Sequence, residues 1–91
     1  MTNEKVILAF LEGKKAHTPT RQIQNGIYLY EGRTLESLGD TLYNYNTQIA
    51  YIKEGVLYLN TRKYSSTTSR IQSLIKRLAT DRNIQIIEFN N

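Results

Sequence analysis

The chain has 91 residues, enough for one domain with a single modest core, and we expect one domain over 1–91. Its net charge of +4 favours anionic partners, and the absence of cysteine excludes disulfides and thiolate metal sites. The apolar run from Val6 to Leu11 is short and lacks a cleavage pattern, so we expect neither a signal peptide nor a membrane span, and a cytoplasmic location.

The first predicted element is a helix over residues 3–12, with Asn3 as its cap and Gly13 at its end. Its apolar positions are Val6, Leu8, Phe10 and Leu11, and an extended strand over Val6–Phe10 is the alternative. The segment Lys14–Gln24 is polar and contains Pro19, which predicts a loop. Ile27–Tyr30, bounded by glycines, follows as the first predicted strand.

Two further strands are predicted in the middle of the chain. One runs from Thr41 through Ala50 to Ile52 and is interrupted around residues 44–47, and the other covers Val56–Asn60. Lys53-Glu54-Gly55 joins them as a tight hairpin, with the glycine that a positive φ requires.

The C-terminal third predicts a helix and a last strand. The helix covers about 66–80, with a buried stripe at helical spacing and an exposed side that carries Lys76 and Arg77. The stripe is formed by Ile71, Leu74, Ile75 and Leu78. After a break at 81–83, Ile84–Phe89 returns to the sheet. The order αβββαβ predicts an α+β fold in which a small antiparallel sheet packs against helices.

No pattern in the sequence favours catalysis. The single histidine, His17, lies in the polar loop, and the eight carboxylates are scattered without the spacing of a metal or acid–base site. We therefore expect no enzyme activity and no cofactor.

The start of the second helix predicts an anion site. Five consecutive hydroxyls, flanked by cations, occupy a position where acidic residues are usual. One hydroxyl, that of Ser65, suffices as the cap and contributes about 1 kcal/mol. The others favour phosphate over a purely structural role. The predicted ligands are Arg62, Lys63, Tyr64, Ser65, Ser66, Thr67, Thr68, Ser69 and Arg70.

A second cluster lies at residues 43–47, where alternation in a strand would place Tyr43 and Tyr45 on one face and Asn46 at a bend. Tyr rings can stack on bases and Asn amides can pair with base edges, so Tyr45, Asn46 and Thr47 join the predicted site. An Asn-rich turn with core-covering tyrosines is the alternative interpretation, and it weakens if this bend lies beside the helix start.

These two segments resemble a family of small bacteriophage proteins that share a domain of unknown function. The resemblance is carried by Tyr45-Asn46-Thr47-Gln48-Ile49-Ala50 and Lys63-Tyr64-Ser65-Ser66-Thr67-Thr68-Ser69-Arg70, in which the family pattern leaves the positions of Gln48 and Ser66 variable. The family pattern often has Ser at the position of Asn44, and the resemblance covers roughly 34–78.

By analogy with phage proteins that sequester the cyclic nucleotides of bacterial immunity, the resemblance suggests an anti-CBASS-like sponge in the infected host cell. A cyclic dinucleotide carries two phosphates and two bases, so we expect a homo-oligomer with the site near a subunit interface. A DNA- or RNA-binding regulator that uses the basic helix, and an inhibitor of a host protein that uses exposed tyrosines, remain alternatives.

Overall fold

The computed structural model describes residues 2–18, 35–45 and 47–90. Within these ranges the elements are α1 (Asn3–Leu11), β1 (Lys15–His17), β2 (Leu35–Leu38), β3 (Thr41–Asn44), β4 (Thr47–Lys53), β5 (Val56–Asn60), α2 (Ser66–Asp81) and β6 (Ile86–Phe89). They confirm the α+β class and the approximate element order, with more strands than the sequence predicted.

The strands form one six-stranded sheet in the order β1-β2-β3-β4-β5-β6. The first four pairings are antiparallel, and β5 pairs with β6 in parallel. The sheet is therefore mostly antiparallel, with a β5–α2–β6 crossover at one edge. Because β5 and β6 run the same way, their carboxyl ends lie at the same end of the sheet as the start of α2.

Helix α1 begins and ends through specific backbone contacts. Its cap is Thr2 rather than the predicted Asn3, since the Thr2 hydroxyl accepts the Lys5 N–H at 3.3 Å. At the other end, Gly13 has a φ of 74° and donates its N–H to Phe10 O, while Lys14 N–H reaches Ala9 O. This is a Schellman ending, and it confirms the role predicted for the glycine.

The predicted hairpin is present. Lys53 pairs with Val56, and the intervening Glu54 and Gly55 both have positive φ, at 53° and 77°. Two successive left-handed residues make the type I′ turn, whose twist matches that of the flanking strands.

The run predicted over Thr41–Ile52 is interrupted where expected, but its two parts are separate strands, β3 and β4, that pair with each other. Asn44 is the partner of Thr47, and Tyr45 between them has a φ of 51°, so the chain reverses here. A bulge follows between Leu42 and Tyr43, where Ile49 is the extra residue on β4. Tyr45 thus lies in a turn and does not continue the strand face of Tyr43.

The loop predicted over Lys14–Gln24 was wrong at its start, where Lys15–His17 forms β1 by pairing with β2. Strand β2 itself was not predicted, since Leu35–Leu38 is short and contains two polar residues. The strand predicted at Ile27–Tyr30 and the rest of the predicted loop, from Pro19, lie outside the described residues.

Both helices pack on one face of the sheet, and the core lies between the two layers. Its fully or nearly fully buried apolar side chains are Val6, Ile7, Phe10, Leu35, Leu42, Ile49, Ala50, Leu57, Leu59, Ile71, Ile75, Leu78 and Ala79. Leu8, Leu11 and Leu74 of the predicted stripes are only partly buried against it.

The opposite face carries aromatic side chains. Tyr51 and Tyr58 are cross-strand partners whose rings stack with centroids 4.8 Å apart, and the ring of Phe89 lies 6.0 Å from that of Tyr51. The last strand also reaches the start of the loop before α2, because Phe89 O accepts hydrogen bonds from both the N–H and the hydroxyl of Thr61.

Candidate functional site

The candidate site is the start of α2 together with the β3–β4 turn. Ser65 is the N-cap, as predicted, and its Oγ accepts the Thr68 N–H at 3.2 Å. The Ser69 N–H donates to Ser65 O and is the first N–H of the helix with a backbone acceptor, so the N–H groups of Ser66 and Thr67 precede the intrahelical ladder. The first turn contains no acidic side chain, so the partial positive charge of this helix end is not offset there.

The hydroxyls of the cluster fall into two groups. Ser66 and Thr67 are exposed and Ser69 is partly exposed, whereas Thr68 is 4% exposed. The Thr68 hydroxyl donates to Asn44 Oδ1 at 2.6 Å and accepts a hydrogen bond from Ser65 Oγ at 3.2 Å. Thr68 therefore joins the helix end to the β3–β4 turn, and the exposed hydroxyls are those available to a ligand.

Asn60, at the carboxyl end of β5, anchors the loop that leads into α2. Its side chain is fully buried, and its Nδ2 donates to Gln48 O at 3.2 Å and to the Tyr64 hydroxyl at 2.8 Å. Its Oδ1 accepts the Arg62 N–H at 3.0 Å. Gln72 secures the same loop from the helix, since its Nε2 donates to the backbone oxygens of Asn60 and Arg62.

This framework connects the two segments that the sequence placed in one site. Asn44 and Gln48 flank the β3–β4 turn, and they contact Thr68 and Asn60 respectively. The turn thus lies beside the start of α2. This is the arrangement under which the interpretation of residues 43–47 as a purely structural turn weakens. Thr47 is partly exposed as the strand partner of Asn44. Asn46 lies outside the described residues.

Two aromatic rings are exposed at this end of the molecule. Tyr45 in the turn is 49% exposed and Tyr64 in the loop is 40% exposed. The guanidinium of Arg62 lies over the Tyr64 ring, 5.6 Å from its centroid, in a cation–π arrangement. Because the Tyr64 hydroxyl is held by Asn60, the ring has a defined position at the surface.

Exposed cations surround the helix end: Arg62 and Lys63 precede it and Arg70 follows. Helical side chains lean towards the N-terminus, so that of Arg70 leans towards the exposed hydroxyls. Next to the helix start, an open cleft of about 220 Å³ lies between α2 and the β5–β6 pair. Its lining includes Lys63, Ser69 and Lys76, and Lys76 forms an ion pair with Glu88 at 3.3 Å. The arrangement offers hydrogen-bond donors and positive charge to an anion.

Among the described residues, no group of three or more His, Asp or Glu side chains is placed to hold a metal ion. His17 lies in β1, where its Nδ1 is 2.9 Å from Thr18 O, and it takes no part in the site at α2. No helix of the described chain is long and apolar enough to cross a membrane.

The sequence pattern missed the buried polar residues that shape the site. Asn44, Asn60 and Gln72 are all buried and hydrogen-bonded, and none of them was among the predicted ligands, although Asn44 lies within the 43–47 cluster. One signal was available, since Asn60 ends an apolar strand just before the basic loop, where a buried side chain can bind backbone groups. The pairing of Asn44 with Thr68 spans 24 residues and has no local signal.

Thr67 and Thr68 provide a matched test of the division between exposed hydroxyls and the buried one. Thr68→Val should lower the free energy of unfolding by about 1–3 kcal/mol, because it leaves buried Asn44 Oδ1 without that donor. Thr67→Val removes an exposed hydroxyl and should change stability by less than about 0.5 kcal/mol. Urea unfolding of both variants measures the difference, and equal costs would contradict the structural role of Thr68.

The fold and the site define a small α+β protein with a hydroxyl-rich, electropositive helix end beside two exposed tyrosines. The chain belongs to a family of unknown function (DUF8033), whose sequence profile matches residues 5–90. No curated protein and no solved structure shows significant similarity to it.

Proposed function

We propose that the protein is a non-catalytic binder of a phosphate-bearing nucleotide. The observation that carries the proposal is the start of α2, where exposed hydroxyls and cations surround a helix end without acidic residues. A phosphate bound here would accept hydrogen bonds from the N–H groups of Ser66 and Thr67 and lie within the positive end of the helix dipole. Charge-assisted bonds from Arg70 and Lys63 would add to these.

The position of the tyrosines extends this proposal from phosphate to nucleotide. Tyr45 and Tyr64 are exposed on the two segments that Asn44–Thr68 and Gln48–Asn60 hold together. A base attached to the bound phosphate can stack on such a ring, which contributes about 1–3 kcal/mol per base. The Arg62 guanidinium over Tyr64 adds a planar group that can contact a phosphate or a base.

We further propose that the ligand is a cyclic nucleotide immune signal and that the protein is a phage-encoded anti-CBASS-like sponge acting in the infected cell. The resemblance of the two segments to phage proteins supports this origin. The mechanism is stoichiometric, because sequestration lowers the free concentration of the signal without consuming it.

A DNA- or RNA-binding regulator is a second candidate, favoured by the exposed side of α2. Arg70 and Arg77 lie two helical turns apart, about 10 Å, and both line an open depression with Ser69 and Ser73. Binding to a long polyanion through such residues would fall steeply as the salt concentration rises. Binding to a small cyclic nucleotide through a few contacts would be less sensitive.

The test is thermal unfolding of the purified protein with cyclic di- and trinucleotides, linear nucleotides and a DNA duplex, at low and physiological salt. A ligand at about 100 times its dissociation constant stabilises the native state by about 2.7 kcal/mol. A salt-resistant shift with one cyclic nucleotide is expected. Shifts with the duplex alone would favour the second candidate, and no shift with any ligand would contradict both and favour a host-protein partner.

Arg70→Gln and Arg82→Gln form a matched pair of variants for the cyclic nucleotide that shifts the unfolding temperature. Arg70 follows the hydroxyl cluster, whereas Arg82 caps the far end of α2, about 18 Å away along the helix. Arg70→Gln should weaken binding about tenfold through the loss of a charge-assisted hydrogen bond, while Arg82→Gln should leave affinity unchanged. Calorimetric titration measures both, and equal weakening would indicate a general charge effect in place of a site.

A further inference from the structure

The two edges of the sheet differ in a way that concerns assembly. Among the described strands, β1 forms one edge and has only three residues, with Lys15 and His17 at its ends, and short charged edges resist pairing. Strand β6 forms the other edge with the sequence Ile-Ile-Glu-Phe and no lysine or proline. Ile87 in its middle is 40% exposed. Within the described chain, no strand pairs with the outer side of β6.

The hydrogen bonds of β6 show which backbone groups face outward. Leu57 N–H donates to Gln85 O, and Thr61 N–H donates to Phe89 O, so the odd-numbered residues face β5. Because the direction alternates along a strand, the N–H and C=O groups of Ile86 and Glu88 point away from the sheet. These two residues present a donor–acceptor pattern that a further strand can complete.

We propose that β6 is the surface through which two copies of this chain associate, as antiparallel strands related by a two-fold axis at Ile87. In this register Ile86 exchanges both backbone hydrogen bonds with Glu88 of the second copy, and the reverse pair is equivalent. Glu88 then lies opposite an isoleucine, and each acidic side chain keeps its own Lys76 as a neighbour. No like charges face each other directly across the axis.

The side chains support a second copy as the occupant. Ile87 and Phe89 lie on the aromatic face, beside Tyr51 and Tyr58. On the axis, Ile87 would contact its own counterpart and extend this apolar surface across both subunits, as an isologous interface requires. Antiparallel pairing places the two α2 starts at opposite ends of the dimer, so each subunit carries a separate candidate site, in contrast to the site shared at an interface that the resemblance suggests. The pairing is independent of the proposed ligand.

Sedimentation of the 91-residue chain over about 1 µM to 1 mM tests the pairing, since a four-residue interface is small and should dissociate on dilution. The expected result is a rise with concentration from 10.6 kDa towards twice that mass. A chain that stays monomeric throughout would overturn the proposal.

Two variants at Glu88 distinguish the contribution of its backbone N–H to dimerisation from that of its side chain. Glu88→Pro removes the outward N–H without touching the bonds to β5, whereas Glu88→Ala removes only the exposed carboxylate and its ion pair. Glu88→Pro should abolish the dimer at all concentrations used, and Glu88→Ala should retain it. A dimer that persists in Glu88→Pro would overturn the proposal.

Ile87→Lys and Leu38→Lys provide a second matched pair, because the two residues are similarly exposed, at 40% and 46%. Leu38 lies on β2, four strands away from β6. Only Ile87→Lys should prevent association, since it places two cations together on the axis. Circular dichroism confirms the fold of each variant, and equal effects of the two substitutions would refute an interface at β6.

Discussion

Asn60→Asp should lower the free energy of unfolding by about 3–5 kcal/mol, because it places an unpaired charge in a fully buried position. The amide donates to Gln48 O and to the Tyr64 hydroxyl. A carboxylate has no proton to donate to Gln48 O and would face that carbonyl oxygen directly, whereas the Tyr64 hydroxyl could reverse its role and donate. The substitution preserves side-chain shape, so the loss would report on hydrogen bonding and charge alone.

Asn90→Asp is the control for that experiment, since Asn90 is exposed and the chemical change is identical. Its effect should stay within about 0.5 kcal/mol. Urea unfolding of both variants gives the comparison. Similar stabilities of the two would contradict the role of Asn60 as the anchor of the loop before α2.

Phe10→Ala should cost about 3–5 kcal/mol, since Phe10 is fully buried where α1 packs on the sheet. The truncation leaves a cavity lined by core side chains, and the loss depends on how far they close it. Denaturant unfolding measures the cost. The control is Leu38→Ala, at an apolar position that is 46% exposed and should lose less than about 1 kcal/mol. A loss of that smaller size at Phe10 would place α1 outside the cooperative core.

Elements with strong local signals were predictable from the sequence. The apolar spacing of α2 and the Glu54-Gly55 turn depend on residues within a few positions of one another, and both predictions were confirmed. Strands β1 and β2 had no such signal. Lys15–His17 has no apolar alternation and becomes a strand only because β2 lies beside it.

The same distinction holds for the candidate site. The cap at Ser65 follows from local geometry, and the sequence predicted it. The role of Thr68 depends on Asn44, which is distant in sequence, so a run of equivalent hydroxyls could not show that one of them is buried. Ligand binding by Tyr45, Thr47 and the 62–70 segment stays a prediction.

The contact between Thr61 and Phe89 has a consequence for the order in which the chain becomes structured during synthesis. All residues of the candidate site precede β6, yet the loop before α2 gains two hydrogen bonds only when Phe89 arrives. A nascent chain that ends before residue 86 would therefore keep the contacts of Asn60 and Gln72 but lack those that fix Thr61. Synthesis of β6 would then be the step that completes the contacts of the recognition surface in the growing polypeptide.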